Sequence, residues 1–212
     1  MAGLIAIPLL ETIYMVLGSS IIALILGFPI GICLFVTSPN GLMENKTINR
    51  SLDFLVNIFR SIPFIILLTA LLPATREIMG TMIGVRGAIF PLVIGAIPFF
   101  VRQVEQALAD VDKGVIEAAE SMGLSPLEII FRVYLKESTG QLIRAITITT
   151  ISLLGLTSLG GAVGAGGIGA FVIRYGHNRR YYDITYVCVI LIILFVTIIQ
   201  TVGNYLAKKK TH

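Results

Sequence analysis

The chain has no tryptophan, only two cysteines and two histidines, and few charges: Asp, Glu, Lys and Arg make up 13% of its 212 residues. Soluble domains carry roughly 25% charged residues, so this depletion argues against a water-exposed globular surface. Cys33 and Cys188 both lie inside apolar runs and read as small buried hydrophobes, which excludes a disulfide framework and a Cys/His metal site. His177 and His212 fall in polar segments and read as solvated side chains. No H-E-x-x-H and no carboxylate pair within an apolar run occurs, so nothing resembles an active site, and a membrane-embedded enzyme is disfavoured. No G-x-x-x-x-G-K-[ST] is present, which excludes ATP binding through a P-loop. The net charge of +4 fits basic loops beside a membrane, with no nucleic-acid partner.

What is abundant is hydrophobic sequence: 56% of residues, with 21 Gly and 8 Pro. Both glycine and proline are commoner in membrane helices than in soluble ones. A crossing needs ~20 mostly apolar residues. Five stretches qualify, at about 13–36, 52–72, 88–104, 142–159 and 184–202, which predicts an all-α polytopic membrane protein forming one permease-like domain over 1–212. The first follows Glu11-Thr12, and the N-terminal segment has no basic region of the kind that precedes a cleaved signal, so none is expected. Within it Gly27 and Gly31 have a GxxxG spacing around Pro29, read either as a close helix contact or as ordinary membrane composition. In the second, Arg60 of Arg60-Ser61-Ile62-Pro63 reads as a structural anchor at the membrane boundary with Asp53 or Asn57 as neighbours. The fourth is rich in hydroxyls (Thr147, Thr149, Thr150, Ser152, Thr157, Ser158), which suit either a polar path or helix packing.

Basic residues set the orientation. With the N-terminus outside, the inner segments hold Lys46, Arg50, Arg102, Lys113, Arg132, Lys136, Arg144 and Lys208-Lys209-Lys210, against Arg76, Arg86, Arg174, Arg179 and Arg180 outside. The bias predicts a cytoplasmic C-terminus and a cytoplasmic loop over 110–137.

That loop is the one long polar segment. Asp112 can cap a helix over about 115–122, and Gly123 stands where a left-handed residue would end it. Ser125, Pro126 and Glu128 then supply an N-cap, a first helical position and the third member of a capping box. The prediction is a bent two-helix elbow. Between the last two spans, residues 164–169 satisfy G-x-G-x-x-G, but no strand precedes them and no acid follows at the right distance. A tight bend with close backbone packing is expected instead of a dinucleotide site. Arg174, Tyr175, Arg179 and Arg180 then mix cations with aromatics, as an interfacial belt or a docking surface.

Glu117-Ala118-Ala119, three residues, Gly123, then nine residues to Val133 and Leu135 resembles the EAA motif of permease subunits of ABC importers, with Val133 for isoleucine and Lys136 for the final proline. Together with Glu11-Thr12, residues 60–63, 117–126, 164–169 and 173–176, the chain looks like the methionine-type permease over nearly its whole length. The resemblance implies a type I ABC importer permease fold with five spans per subunit in a homodimer of the bacterial inner membrane. It implies two cytoplasmic ATPase subunits that bind ATP and Mg, with no cofactor on this chain, and an extracytoplasmic methionine-binding protein. Glu117, Ala118, Ala119, Gly123, Ser125 and Pro126 would then couple to the ATPase, with Glu117 pairing a cation and the alanines keeping the contact close. Thr149, Ser152, Thr157 and Ser158 would border a neutral substrate path at the dimer axis, offering no intramembrane charge. Arg174, Tyr175, Arg179 and Arg180 would face the binding protein. A permease for another amino acid, small solute or metal chelate is the rival reading; a gated channel lacks any reason for the capped elbow.

Overall fold

The computed structural model describes residues 2–210, so His212 lies outside the described residues. Helix α1 spans Ala2–Val36, α2 Lys46–Ser61, α3 Phe64–Ala70, α4 Leu72–Met79 and α5 Gly84–Ala109. Then come α6 (Lys113–Ser121), α7 (Pro126–Ile129), α8 (Leu135–Glu137), α9 (Thr139–Gly161), α10 (Gly167–Phe171) and α11 (Tyr182–Lys210). No strand occurs among the described residues. Helices suit this composition because every backbone group can pair within its own segment, which hydrocarbon requires. Four helices (α1, α5, α9, α11) are long and apolar enough to cross a membrane, and the α2–α3 pair makes a fifth crossing if counted as one.

Two boundaries differ from expectation. First, α1 begins at Ala2 and runs through Glu11-Thr12, which the sequence suggested as a polar edge. Both side chains are used inside the fold: Glu11 accepts from the Gly167 N–H at 2.7 Å and Thr12 Oγ1 from the Ile168 N–H at 2.8 Å. Second, residues 52–72 are not one straight span: α2 and α3 meet at 101°. Pro63 causes the break. It biases Ile62 out of the helical region (φ −84°, ψ 120°) and has no N–H for the preceding turn. The π-helical segments Ile130–Tyr134 and Val172–His177 had no counterpart in the sequence reading.

At the centre lies α5, its Pro91 and Pro98 both buried, with α1 packed along it and α9 on its other flank. The α1–α5 contact decides the meaning of Gly27 and Gly31. A Cβ at Gly27 would sit 2.9 Å from Phe100 Cδ1, and one at Gly31 would sit 2.7 Å from Val104 Cβ and 3.0 Å from the Val101 carbonyl. The spacing is therefore a helix contact. By contrast only 6% of the apolar window of α11 is buried, so this helix is the outermost.

Gly31→Ala should lower the melting temperature of the detergent-purified protein, because overpacking against backbone costs about 1–3 kcal/mol. Gly18→Ala, whose Cβ would meet nothing nearer than Ile89 Cδ1 at 3.9 Å, should leave it unchanged. Equal melting of the two variants would contradict the close-contact assignment.

Candidate functional site

The polar loop folds as an elbow. Asp112 Oδ1 accepts from the Gly114 N–H at 2.6 Å and starts α6. Gly123, at φ +79°, ends it in the left-handed region, with the Leu124 N–H returning to the Ala119 carbonyl at 3.2 Å. Ser125 and Glu128 form the capping box: the Ser125 N–H reaches Glu128 Oε2 at 3.1 Å, and the Glu128 N–H reaches Ser125 Oγ at 3.4 Å. Arg132 adds an ion pair to Glu128 at 3.2 Å.

The two faces of α6 differ. Ile116 and Ala119 are buried and pack with Ile129, Leu42, Val111 and Tyr134. Ala119 therefore serves the inner cluster and is not on the outward face. Glu117, Ala118, Gly123, Ser125 and Pro126 are all exposed, as is Met122 at 73%. Leu42 comes from the loop after α1, and Tyr134 meets Phe35 edge-on at 5.0 Å, so the elbow is bolted to the end of α1.

About two turns into the bundle, Arg102 of α5 joins three partners. Its guanidinium pairs with Asp53 of α2, with Asn57 Oδ1 at 2.9 Å and with Glu105 at 2.7 Å. The sequence reading gave Asp53 and Asn57 to Arg60. That pairing is corrected: Asn57 donates to Asp53 at 3.0 Å, and both turn toward α5.

Arg60 instead lines a cleft of about 320 Å³ where the α2–α3 break faces the middle of α5 and α9. Thr149 and Ser152 line it too, with Phe64, Phe99 and Leu156. The expectation that no charge is offered there is overturned, because Arg60, in the last turn of α2, lines the same cleft as Thr149 and Ser152 of α9. The other hydroxyls named for a path, Thr157 and Ser158, do not line the cleft; they bond to the Leu154 carbonyl at 2.7 and 3.2 Å.

At the end of the bundle opposite the elbow, the glycine-rich segment folds tightly against α1. Gly166 and Gly167 have φ of +85° and +73°, and a Cβ on Gly167 would sit 2.6 Å from Thr12 Oγ1. The sequence places Glu11 and Thr12 at a span boundary and among the residues of the family resemblance, but does not show their bonds to this segment, 156 residues away. Beside it Arg179 lies over the Tyr175 ring at 4.8 Å, Arg174 at 5.8 Å, and Tyr175 packs on Phe171 at 4.8 Å. Arg180 adopts φ +59°, and Arg174, Arg179 and Arg180 are exposed.

Hydrogen bonds from the Ser125 N–H and hydroxyl, then the charge of Arg132, hold the Glu128 carboxyl below its ordinary value of 4.5. A depressed value means that the cap is complete above that ordinary value and is lost as pH falls through the lower, folded one. Ser125→Ala removes about 1 kcal/mol of capping. Hydrogen exchange of the amides at 126–129 should quicken several-fold in this variant at neutral pH. Unchanged exchange would mean that the box does not hold α7.

Residues 23–212 match the family described as binding-protein-dependent transport system inner membrane component. The chain is 45% identical over 204 residues to the probable D-methionine transport system permease protein MetI of Vibrio cholerae, covering 95% of this chain and 90% of that one. It is 47% identical over 171 residues to the methionine import system permease protein MetP of Bacillus subtilis, covering 81% and 77%. Its backbone superposes with a TM-score of 0.96, at 40% identity, on a chain of an inward-facing MetNI methionine ABC transporter crystal structure, covering 100% of this chain and 98% of that one. The fold is thus that of a type I ABC importer permease, and the multi-pass chain belongs to the family of binding-protein-dependent transport system inner membrane components.

Proposed function

We propose that this chain forms, as a homodimer, the membrane path of an ATP-driven methionine importer. ATP hydrolysis belongs to two cytoplasmic ATPase subunits that seat on its elbow. The observation that carries the reading is the division of α6 into a buried inner face, Ile116 and Ala119, and an exposed outer face bearing Glu117 and Ala118. A short capped helix fixed from behind is suited to receive force. The names of the relatives, D-methionine and methionine permeases, supply the cargo. In this reading the N-terminus is outside and the C-terminus cytoplasmic. The basic residues at the elbow end, including Lys113 and Lys208-Lys209-Lys210, support that orientation.

Nucleotide-driven closure of the ATPases moves the elbow as one body, and α5 and α9, which emerge from its two ends, rock the dimer between inward- and outward-facing states. Glu117 pairs a cation in the ATPase groove, and Ala118 and the turn at Gly123, Ser125 and Pro126 keep the seat narrow. At the opposite end, an extracytoplasmic methionine-binding protein docks against Arg174, Tyr175, Arg179 and Arg180. The cation–aromatic stack on Tyr175 favours a partner surface with carboxylates.

Vesicles reconstituted with the permease, its ATPase and its binding protein should take up labelled methionine only when both ATP and the ATPase are present. Glu117→Lys or Gly123→Pro should cut that uptake at least tenfold with the permease still inserted. Uptake indifferent to ATP and the ATPase would sink the reading.

A further inference from the structure

Arg60 is an arginine without a partner: it makes no ion pair or hydrogen bond among the described residues. Its nearest polar neighbours on α2, Asn57 one turn back and Asp53 two turns back, are committed to Arg102. It nevertheless lines the cleft at the α2–α3 break. The cleft lies midway along the helices that wall it. Gly95, Ala96 and Phe99 are central in Gly84–Ala109, as Thr149 and Ser152 are in Thr139–Gly161. Arg60 is exposed at the open side of this cleft, and a cation midway along membrane-crossing helices is costly unless it meets an anion or water. Discontinuous helices at the midplane are where transporters hold charged groups of their cargo.

The rest of the lining suits an amphipathic guest. Ser152 is the one hydroxyl in the cleft left free: Thr149 bonds back to the Ala145 carbonyl at 2.8 Å, whereas Ser152 has no partner among the described residues. No carboxylate lines the cleft to compete for Arg60. The break also deprives the Phe59 carbonyl of its intrahelical donor, since Pro63 has no N–H, leaving an acceptor for an ammonium. Phe64, Phe99 and Leu156 offer an apolar wall. About 320 Å³ lies at the small end of ligand pockets.

We propose that this cleft is a transit site for an α-amino acid, with the Arg60 guanidinium receiving its carboxylate in a two-point contact and Ser152 adding a hydrogen bond. The side chain of the cargo lies against Phe99 and Leu156. The proposal rests on the reading of the chain as an amino-acid importer and adds what that reading lacks, a place where the zwitterion is held between the binding protein and the cytoplasm.

The test is equilibrium binding of labelled methionine, and of methioninol, in which the carboxylate is replaced by a hydroxymethyl group. The purified permease–ATPase complex is used without the binding protein, alongside ATP-driven uptake in vesicles with it. Wild type should bind methionine at least tenfold more tightly than methioninol. Arg60→Gln should lose at least tenfold in methionine binding and no longer discriminate between the two. Arg60→Lys should fall between wild type and Arg60→Gln, and Ser152→Ala should weaken binding about threefold. ATP hydrolysis by the complex should persist in all variants, which separates loss of the site from loss of assembly. Wild-type binding that ignores the carboxylate, no binding to wild type, or Arg60→Gln and Arg60→Lys variants that bind as wild type does would each overturn the proposal. If the Arg60 variants also import methionine at the wild-type rate, only the transit site falls. If the wild-type complex imports no amino acid, the functional reading falls with it.

Discussion

A push delivered at one side of a membrane reaches its middle only if the part that is pushed does not yield. In this chain that condition rests on a small apolar cluster, Ile116, Ala119 and Ile129, closed by Leu42 and Tyr134. Without it, α6 and α7 would be two short helices on a polar loop, and isolated helices of that length are not stable in water. With it, the elbow is part of the bundle. The caps at Asp112 and Ser125 hold the backbone of each helix, Gly123 sets the angle between them, and the cluster ties both to the end of α1.

From the elbow the structure continues inward along α5 to the α2–α3 break. The helix α5 leaves the elbow with its buried face packed on α1 through Gly27 and Gly31, where backbones approach too closely for larger side chains. Arg102 then binds α2 to α5 through Asp53 and Asn57. Removing one partner of a half-buried charge network leaves the others poorly paired, so this joint resists separation. The break at Ile62-Pro63 interrupts that framework, and the cleft opens there. Close packing from the elbow inward is what a lever requires.

How much of this could be read from the sequence depended on range. The elbow was legible because its signals are local: a cap three residues from its partner, a glycine at the helix end and a proline at the first position. The tight glycine-rich turn was legible for the same reason. The pairing of Asp53 and Asn57 was misread, because their helical spacing from Arg60 suggested a partner on the same helix. The actual partner, Arg102, lies 49 residues beyond Asp53. Glu11 and Thr12 looked like the edge of a span because hydropathy scores a carboxylate as water-seeking. Only the fold shows them satisfied by N–H groups from the far end of the chain. Pro63 was visible, but whether a proline kinks a membrane helix or breaks it by 101° is decided by the neighbours it packs against.

The central claim is that the elbow and the spans rooted in it move as one body when the ATPases close. Double electron–electron resonance can measure it directly, with Cys33 and Cys188 replaced by alanine and spin labels at Lys113 of α6 and Arg144 of α9. Trapping the complex with nucleotide should shorten the Lys113–Lys113 distance across the dimer and leave the Lys113–Arg144 distance within each subunit unchanged. A Lys113–Arg144 distance that shifts while the distance across the dimer stays fixed would mean that the elbow yields under load, and the account would be wrong.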